Sequence, residues 1–585
     1  MEGKEASVIK QILSYLKAYI KECIISPLFK LLESVFDLLV PIIVKQIIDD
    51  GIGNHQLSTV TSLCLVLIGF AVIGLACALV AQYFAAKTAV GVATDLRHDL
   101  FARIGHLSYT QTDRIGTATL ITRMTGDVNQ IQSAINLTLR LLLRSPIIVL
   151  GAMLMAFTVD VQGAWVFAVV VPLLSVIIFT ILLVNIPHYK RVQKSLDSVT
   201  ALTRENLNGV RVLRAFRLEE EEQNRFDEAI QTHNRAQNLV GKISALLNPL
   251  TLVIVNLGII VLLLSGGKLV QIGEMSQGDV VALTNYMAQI LVELIKFANT
   301  ILTVNKALAS ADRVKEVLQL PIGMETSAPL VSASDDKNYA VSFHNVSLTY
   351  GGTLTETLSN INLRVPARAT IGIIGSTGAG KSSLVNLIPR FYDATSGMVQ
   401  VDGKDVRSYS PEALRQKIAV VPQKTVLFAG TVRSNLLWGN ANATDEELWQ
   451  ALEWAQAKDF ILQKKLGLDE PVAQNGKNFS GGQRQRLTIA RALVRKPEIL
   501  ILDDSSSALD YATDAALRAA LKALPYRPTV FLISQRTSSI CHADIILVLE
   551  DGHTVGIGTH KELLEHCEVY REIHNSQYHK GGDSV

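Results

Sequence analysis

Apolar residues gather in about six long segments within the first half of the chain, at roughly Ile25 to Ile48, Val60 to Ala86, Leu141 to Phe157, Ala164 to Ile186, Ala245 to Leu264 and Val280 to Val304. Each approaches the ~20 residues that an α-helix needs to cross a hydrocarbon layer. They predict a bundle of six transmembrane helices. Ahead of them, Met1 to Lys21 sets Ile9, Ile12, Leu13, Leu16 and Ile20 at helical spacing among lysines, the pattern of an interfacial helix rather than a cleaved leader. The long loops after the second and fourth segments carry Lys87, Arg97, Arg103, Arg114, Arg123, Lys190, Arg191, Arg204 and Arg211, whereas the short connections DDGIGNH and VDVQG have no cation. By the positive-inside rule the basic loops and both termini face the cytoplasm.

The pattern changes after about Asn305. Pro321, Pro329 and the polar run SASDDKN read as a linker, and VSFHNVSLTY beyond it alternates like an edge strand. Thr370 to Ile374 and ILILDD, Ile499 to Asp504, are short apolar runs of the kind that fill buried parallel strands. The expected division is therefore an N-terminal interfacial helix at 1–24, a transmembrane domain at 25–310, a linker at 311–338 and an α/β domain at 339–585.

Composition fits a membrane protein: 49% hydrophobic residues, 18% charged and a mean hydropathy of +0.28, where a soluble chain carries about 25% charged residues. A net charge of +2, with its cations scattered, argues against a nucleic-acid partner. The five cysteines lie far apart, so neither metal nor redox chemistry is indicated.

Polar side chains inside apolar segments are costly unless they face protein or water. The first segment has Glu33 and Asp37 four apart, the third Asn136, Arg140 and Arg144, and the fifth Asn248 and Asn256. The sixth has Asn285, Gln289, Glu293, Lys296 and Thr300 as one helical stripe. Two readings stand side by side. Glu33, Asp37, Arg140, Arg144, Asn285, Gln289, Glu293 and Lys296 either line a water-filled substrate cavity or hold the helices together; an ion pair between the first and third spans is geometrically allowed.

Chemistry concentrates in the second half. GSTGAGKSS, Gly375 to Ser383, follows an apolar strand and precedes a helical run, which is the context a phosphate-binding loop requires. Backbone N–H groups from Gly375, Ser376, Thr377, Gly378, Ala379 and Gly380 would turn toward phosphates, Lys381 would add a point charge, and Ser382, followed by Ser383, would ligate Mg²⁺. Asp503, ending an apolar strand, supplies the second Mg²⁺ ligand such a site needs. Ser480, Gly481, Gly482 and Gln483 open a strong helical pattern whose first N–H groups suit an anion.

Taken together, these motifs resemble a half-transporter of the ATP-binding cassette superfamily, of the exporter type with a transmembrane domain fused ahead of its nucleotide-binding domain. The resemblance covers nearly the whole chain. It implies a six-helix membrane bundle with long cytoplasmic extensions, followed by an α/β P-loop NTPase domain with a helical subdomain. It further implies ATP and Mg²⁺ as ligands, Tyr350 as the base-stacking aromatic, Gln423 as the glutamine sensing Mg²⁺ and the membrane domain, Phe479 to Gln483 as the family signature, and Ser507 to Asp510 as the following S-A-L-D loop. Segments 115–128 and 205–216 resemble those that carry motion between domains.

Departures from the family pattern are as informative. Asp504 stands where the family usually has the glutamate that polarises attacking water, and Gln535 stands in place of a histidine that contacts the γ-phosphate. Gln474 replaces a common glutamate, and Phe479 replaces the usual leucine of an otherwise intact signature. A carboxylate one methylene short loses positioning, and Gln cannot carry an imidazolium charge. The expectation is a subunit of a heterodimeric, multidrug-type bacterial exporter: a multi-pass plasma-membrane ATPase moving amphipathic drugs, lipids or peptides with a different, consensus half-transporter as partner. Its own site would bind ATP and hydrolyse it poorly. Import on the same fold and an ATP-gated regulatory membrane protein remain alternatives.

Overall fold

The computed structural model describes residues 10, 12–321, 339–351 and 355–578. Most of the interfacial-helix segment, at 1–9 and 11, and most of the expected linker, at 322–338, lie outside the described residues. The chain folds into two compact units, 1–105 with 117–320 and 106–116 with 321–585. The transfer of an eleven-residue piece to the second unit is a departure from a simple division at the linker.

Within the first unit, five helices among the described residues are long and apolar enough to cross a membrane: Leu57–Gly105, Thr117–Val159, Val161–Phe216, Glu219–Gln271 and Gln277–Leu318. The helix Ile20–Gln46 also has 27 residues, but Lys30, Glu33 and Asp37 interrupt its apolar run. It begins ahead of residue 25, so helix is continuous across the position where an interfacial segment was expected to end. The last helix likewise passes 310 to reach Leu318, because Ala311, Val314 and Val317 recur at helical spacing and are buried. At 56 residues Val161–Phe216 far exceeds one span, so the basic loop after the fourth segment is itself helical.

Packing in this unit follows membrane rules. Cys77, Ala81, Ala85, Ala89 and Ala93 form a buried stripe of small residues on Leu57–Gly105 at four-residue spacing, which permits close approach of a neighbouring helix. Ser26 Oγ donates to Ala81 O at 2.9 Å across that seam. Phe167, Leu174, Leu283, Tyr286, Met287 and Ile290 fill a central cluster, and the Tyr286 hydroxyl donates to Leu38 O at 2.6 Å. Meanwhile Leu65, Val72, Leu79, Val169, Val176 and Leu183 point outward and are exposed. An apolar exterior is what a helix facing lipid presents.

The first and last helices meet at one end. Asp49, in the π-helical turn Ile47–Ile52, accepts from Gly278 N at 2.8 Å and from Ser276 Oγ at 2.5 Å. Lys45 pairs with Asp279 at 2.5 Å. A Cβ on Gly278 would lie 2.6 Å from both Asp49 Oδ2 and Lys45 O, so only glycine allows this approach.

The second unit is an α/β domain with two principal sheets. Strands β1 (Tyr339–Leu348), β2 (Leu358–Pro366), β4 (Ser396–Val401) and β5 (Lys404–Asp405) form an antiparallel sheet in the order β2-β1-β4-β5, while β3 is Thr370–Gly375. The other sheet combines β3 with β6 (Ile418–Val421), β9 (Ile499–Asp503), β10 (Thr529–Ile533), β11 (Ile545–Glu550) and β12 (His553–Gly558), in the order β12-β11-β3-β10-β9-β6. Between β6 and β9, β7 (Gly430–Thr431) and β8 (Pro471–Val472) make a small pair beside a helical portion. Strands β9 and β10 are buried throughout and pair in parallel. Their carboxyl ends, with that of β3, deliver adjacent loops to one edge, the usual ligand position of an open parallel sheet.

Candidate nucleotide site and membrane charge cluster

The loop after β3 rises from a tightly packed strand end. A Cβ on Gly375 would meet Leu549 O at 2.1 Å, and Gly380, with φ +90°, caps the helix Lys381–Asn386. Lys381 is buried and its Nζ donates to Gly375 O at 2.9 Å and Ser376 O at 2.6 Å. Those two bonds hold the ammonium over the loop. Ser382 Oγ donates to Asp503 Oδ1 at 3.0 Å, joining the start of this helix to the end of β9.

Thr377, Gly378, Gly380, Lys381, Ser382 and Ser383 form one wall of a cleft of about 190 Å³. Gln423, Asp503, Asp504 and Gln535 face them. Burial is the first cause of every shifted charge here. It pushes the Asp503 and Asp504 carboxyls up, against the hydrogen bonds from Ser382 and Gln423, and pulls the Lys381 ammonium down, against attraction from both aspartates. A further cation is therefore favoured beside the carboxylates. Asp504 has φ +44°, a region where Asp is enriched among non-glycine residues, and its Oδ2 accepts from Gln423 Nε2 at 3.4 Å.

Tyr350, past the end of β1, donates its hydroxyl to Ser383 Oγ at 3.0 Å. Neither Tyr350 nor Gly375, Ser376 and Ala379 lines the cleft itself. Ser480, Gly481, Gly482 and Gln483 stand apart from it, at the start of the helix Gly481–Val494, where Ser480 and Gln483 form a capping box. A Cβ on Gly482 would lie 3.0 Å from Ala508 O, so this helix start is packed against the loop that leads to Asp510. Asp510 caps the helix Tyr511–Lys522 through Thr513 N at 2.8 Å, and that bond holds its carboxyl below the usual range. Thr357 and Ser534 also line the cleft; Ser534 is adjacent to Gln535 in sequence, whereas nothing local marks Thr357.

Among the membrane helices, Arg144 is the centre of an ionic cluster. It stands 2.8 Å from Asp37, 3.7 Å from Glu33 and 3.5 Å from Glu293. Lys30 pairs with Glu33 at 2.6 Å, Lys296 pairs with Glu293 at 2.9 Å, and Ser145 Oγ donates to the other Glu293 oxygen at 2.9 Å. Gln289 Nε2 reaches Asp37 O at 3.2 Å. Arg140 instead bonds Asn136 of its own helix at 3.4 Å, and Asn285 is exposed. The π-helical turn Thr138–Leu142 lies between the two arginines and turns them to different faces, despite their four-residue spacing. Lys30 had no place in the polar stripe read from sequence, although three residues separate it from Glu33.

Known proteins resemble this chain along nearly all its length. Models of the ABC transporter transmembrane region and of the ABC transporter match residues 23–294 and 358–507. An uncharacterized ABC transporter ATP-binding protein of Mycobacterium tuberculosis is 37% identical over 94% of this chain and 95% of its own length. The chain belongs to the ABC transporter family. Its arrangement, a membrane region fused to an ATP-binding domain, is that of an exporter-type ABC half-transporter. The ATP-dependent lipid A-core flippase of Escherichia coli K12 is 31% identical over 92% of each chain. The solved structure of a bacterial Atm1-family ABC exporter with ATP bound has the same fold, with a TM-score of 0.79 over 97% of this chain and 99% of that one at 24% identity.

For an ABC transporter, the cleft has the donors that magnesium nucleotide requires. Ser382 and Asp503 are hard oxygen ligands already in register, Lys381 is a buried cation among loop carbonyls, and the backbone at Gly375 leaves no room for a side chain.

Proposed function

We propose that this chain is one half of a heterodimeric ATP-driven exporter of amphipathic compounds, with a slow nucleotide site of its own and a signature that completes the partner's site. The observation that carries this reading is the company of Asp504 and Gln535 with Lys381, Ser382 and Asp503 in one cleft. The binding residues are intact, and the two positions expected to handle water and the γ-phosphate are weakened. Six membrane spans, including Ile20–Gln46, would bring both termini to the cytoplasmic face of a bacterial plasma membrane.

In this reading Lys381 binds the outer phosphates, the loop N–H groups carry the rest of the phosphate charge, and Tyr350 offers a ring to the base. Ser382, Gln423 and Asp503 would hold Mg²⁺, which neutralises phosphate charge when bound. Asp504 orients water from a shorter side chain, and a misplacement of about 1 Å costs roughly a hundredfold in rate. Gln535 donates a neutral hydrogen bond where a charged one would do more. A two-fold homodimer would repeat both defects, because its interface is isologous. A different partner with the consensus glutamate and histidine would use Ser480, Gly481 and Gly482 of this chain to build one competent site.

The cargo reading rests on the cluster around Arg144, with Asp37 and Lys296 its more exposed members. Both charge signs beside aliphatic walls suit amphipathic molecules. The decisive experiment is ATP turnover by the purified chain alone and together with its partner, followed by vesicle transport. Slow turnover alone and brisk, transport-coupled turnover together are expected; brisk turnover by the lone homodimer would sink the proposal.

A further inference from the structure

The segment 106–116 packs within the same compact unit as the nucleotide cleft, although the chain enters and leaves it through long helices of the other unit. It forms the helix Tyr109–Ile115, opened by a Ser108–Gln111 capping box and closed by Gly116 at φ +80°. Three aromatic contacts seat it. Tyr109 stacks on Phe391 at 4.4 Å between ring centroids and 26° between planes, and lies 6.1 Å from Tyr392. The Tyr392 hydroxyl donates to Asp113 Oδ2 at 2.6 Å. On its other side, Tyr392 meets Tyr350 edge to face, at 5.0 Å and 87°.

We propose that Tyr392 is a positioning residue that links nucleotide binding at Tyr350 to the seating of the helix Tyr109–Ile115. The proposal rests on the reading of Tyr350 as the base platform. One side chain touches both partners, and each contact has a defined geometry. Tyr350 is fixed at its far end by Ser383, beside the magnesium-ligating Ser382, so its ring has little freedom to tilt independently of the phosphate loop. A base stacked on Tyr350 would restrict that ring further. Its edge-to-face neighbour would be restricted with it, because such pairs hold both distance and angle.

Beyond the rings, the link becomes polar. Burial first, and then the nearby Asp113, push the Tyr392 phenol well above its ordinary value, so the hydroxyl keeps its proton and remains a donor to the carboxylate. A hydrogen bond to an ionised acceptor is short and strong. Ordering on one side of Tyr392 therefore favours ordering on the other, and by linkage a well-seated helix must favour the nucleotide by the same factor.

The test uses the full chain assembled with its partner. Binding of a fluorescent ATP analogue to this site is measured with Mg²⁺ present, and hydrogen exchange is followed at 109–115 with and without MgATP. Tyr392→Phe keeps the ring and removes the donor; Asp113→Asn keeps the size and removes the charge. Each is expected to weaken nucleotide binding by roughly three- to tenfold and to abolish nucleotide-dependent protection of 109–115. The double variant should be no worse than the poorer single one, since both remove one bond. Unchanged nucleotide affinity and unchanged protection in both variants, with Tyr350→Ala still weakening binding, would overturn the link and leave the platform reading intact. Full binding by Tyr350→Ala would overturn the platform reading itself. A merely structural role for Tyr392 would lower the melting temperature while leaving nucleotide-dependent protection in place, which also counts against the link.

Discussion

Gln423 Nε2 and Asp504 Oδ2 lie 3.4 Å apart across the mouth of the nucleotide cleft, a long and weak contact between the ends of two strands. A carboxylate one methylene longer would reach further into the cleft from the same backbone position. Asp504→Glu is therefore expected to raise ATP turnover of the assembled transporter, by roughly tenfold at this site if positioning is the limit. Phosphate release under single-turnover conditions measures it. No change would assign the limit to Gln535 or to the signature that the partner supplies.

Lys381 lies buried between two backbone carbonyls and two aspartates. Replacing it with alanine removes a charge-assisted contact of about 1.5–3 kcal/mol. Nucleotide affinity at this site should fall by roughly ten- to a hundredfold, read by titration with a fluorescent ATP analogue. Folding should survive, since the loop carbonyls freed by the change can bond water.

The buried Asp503 carboxyl titrates above its ordinary value. The folded state then holds a proton that the unfolded chain has already lost, and within that window stability falls as pH rises. Asp503→Asn should raise the melting temperature of the nucleotide-free protein at pH 7, with the gain shrinking as pH falls toward the ordinary carboxylate range. The same variant should lose Mg²⁺ dependence of nucleotide binding. In the unaltered protein, acid should weaken Mg²⁺ binding at a higher pH than for an exposed aspartate.

Arg144 faces three carboxylates. Removing one partner from a buried ionic group costs about 3–5 kcal/mol, because the remaining charges stay buried without compensation. Arg144→Met should lower the melting temperature in detergent sharply, while Arg140→Met should leave it nearly unchanged. The contrast between the two is the measurement, since they differ by only one turn in sequence.

Some of these relationships are legible in sequence and some are not. The phosphate loop and ILILDD are local patterns, with the chemistry and the strand that positions it in a single stretch. The polar stripe of the last helix pointed to Gln289, Glu293 and Lys296, but a regular helical period could not foresee the π-helical turn that separates Arg140 from Arg144. Tyr392 and Asp113 are 279 residues apart, and no composition or spacing brings them together. The ends of Ile20–Gln46 and Gln277–Leu318 were shifted for a similar reason. Helix continues wherever tertiary burial supports it, beyond the point at which the apolar run fades.

The bond from Gly278 to Asp49 has a mechanical consequence for the membrane region. Helices joined only in sequence would form an open ribbon whose two free edges could part. Tied where the first helix ends and the last begins, with backbone in direct contact and no side chain at Gly278 to act as a cushion, the ribbon becomes a hoop. A hoop deforms by flexing all its members, so a displacement imposed on either edge helix is shared with the other.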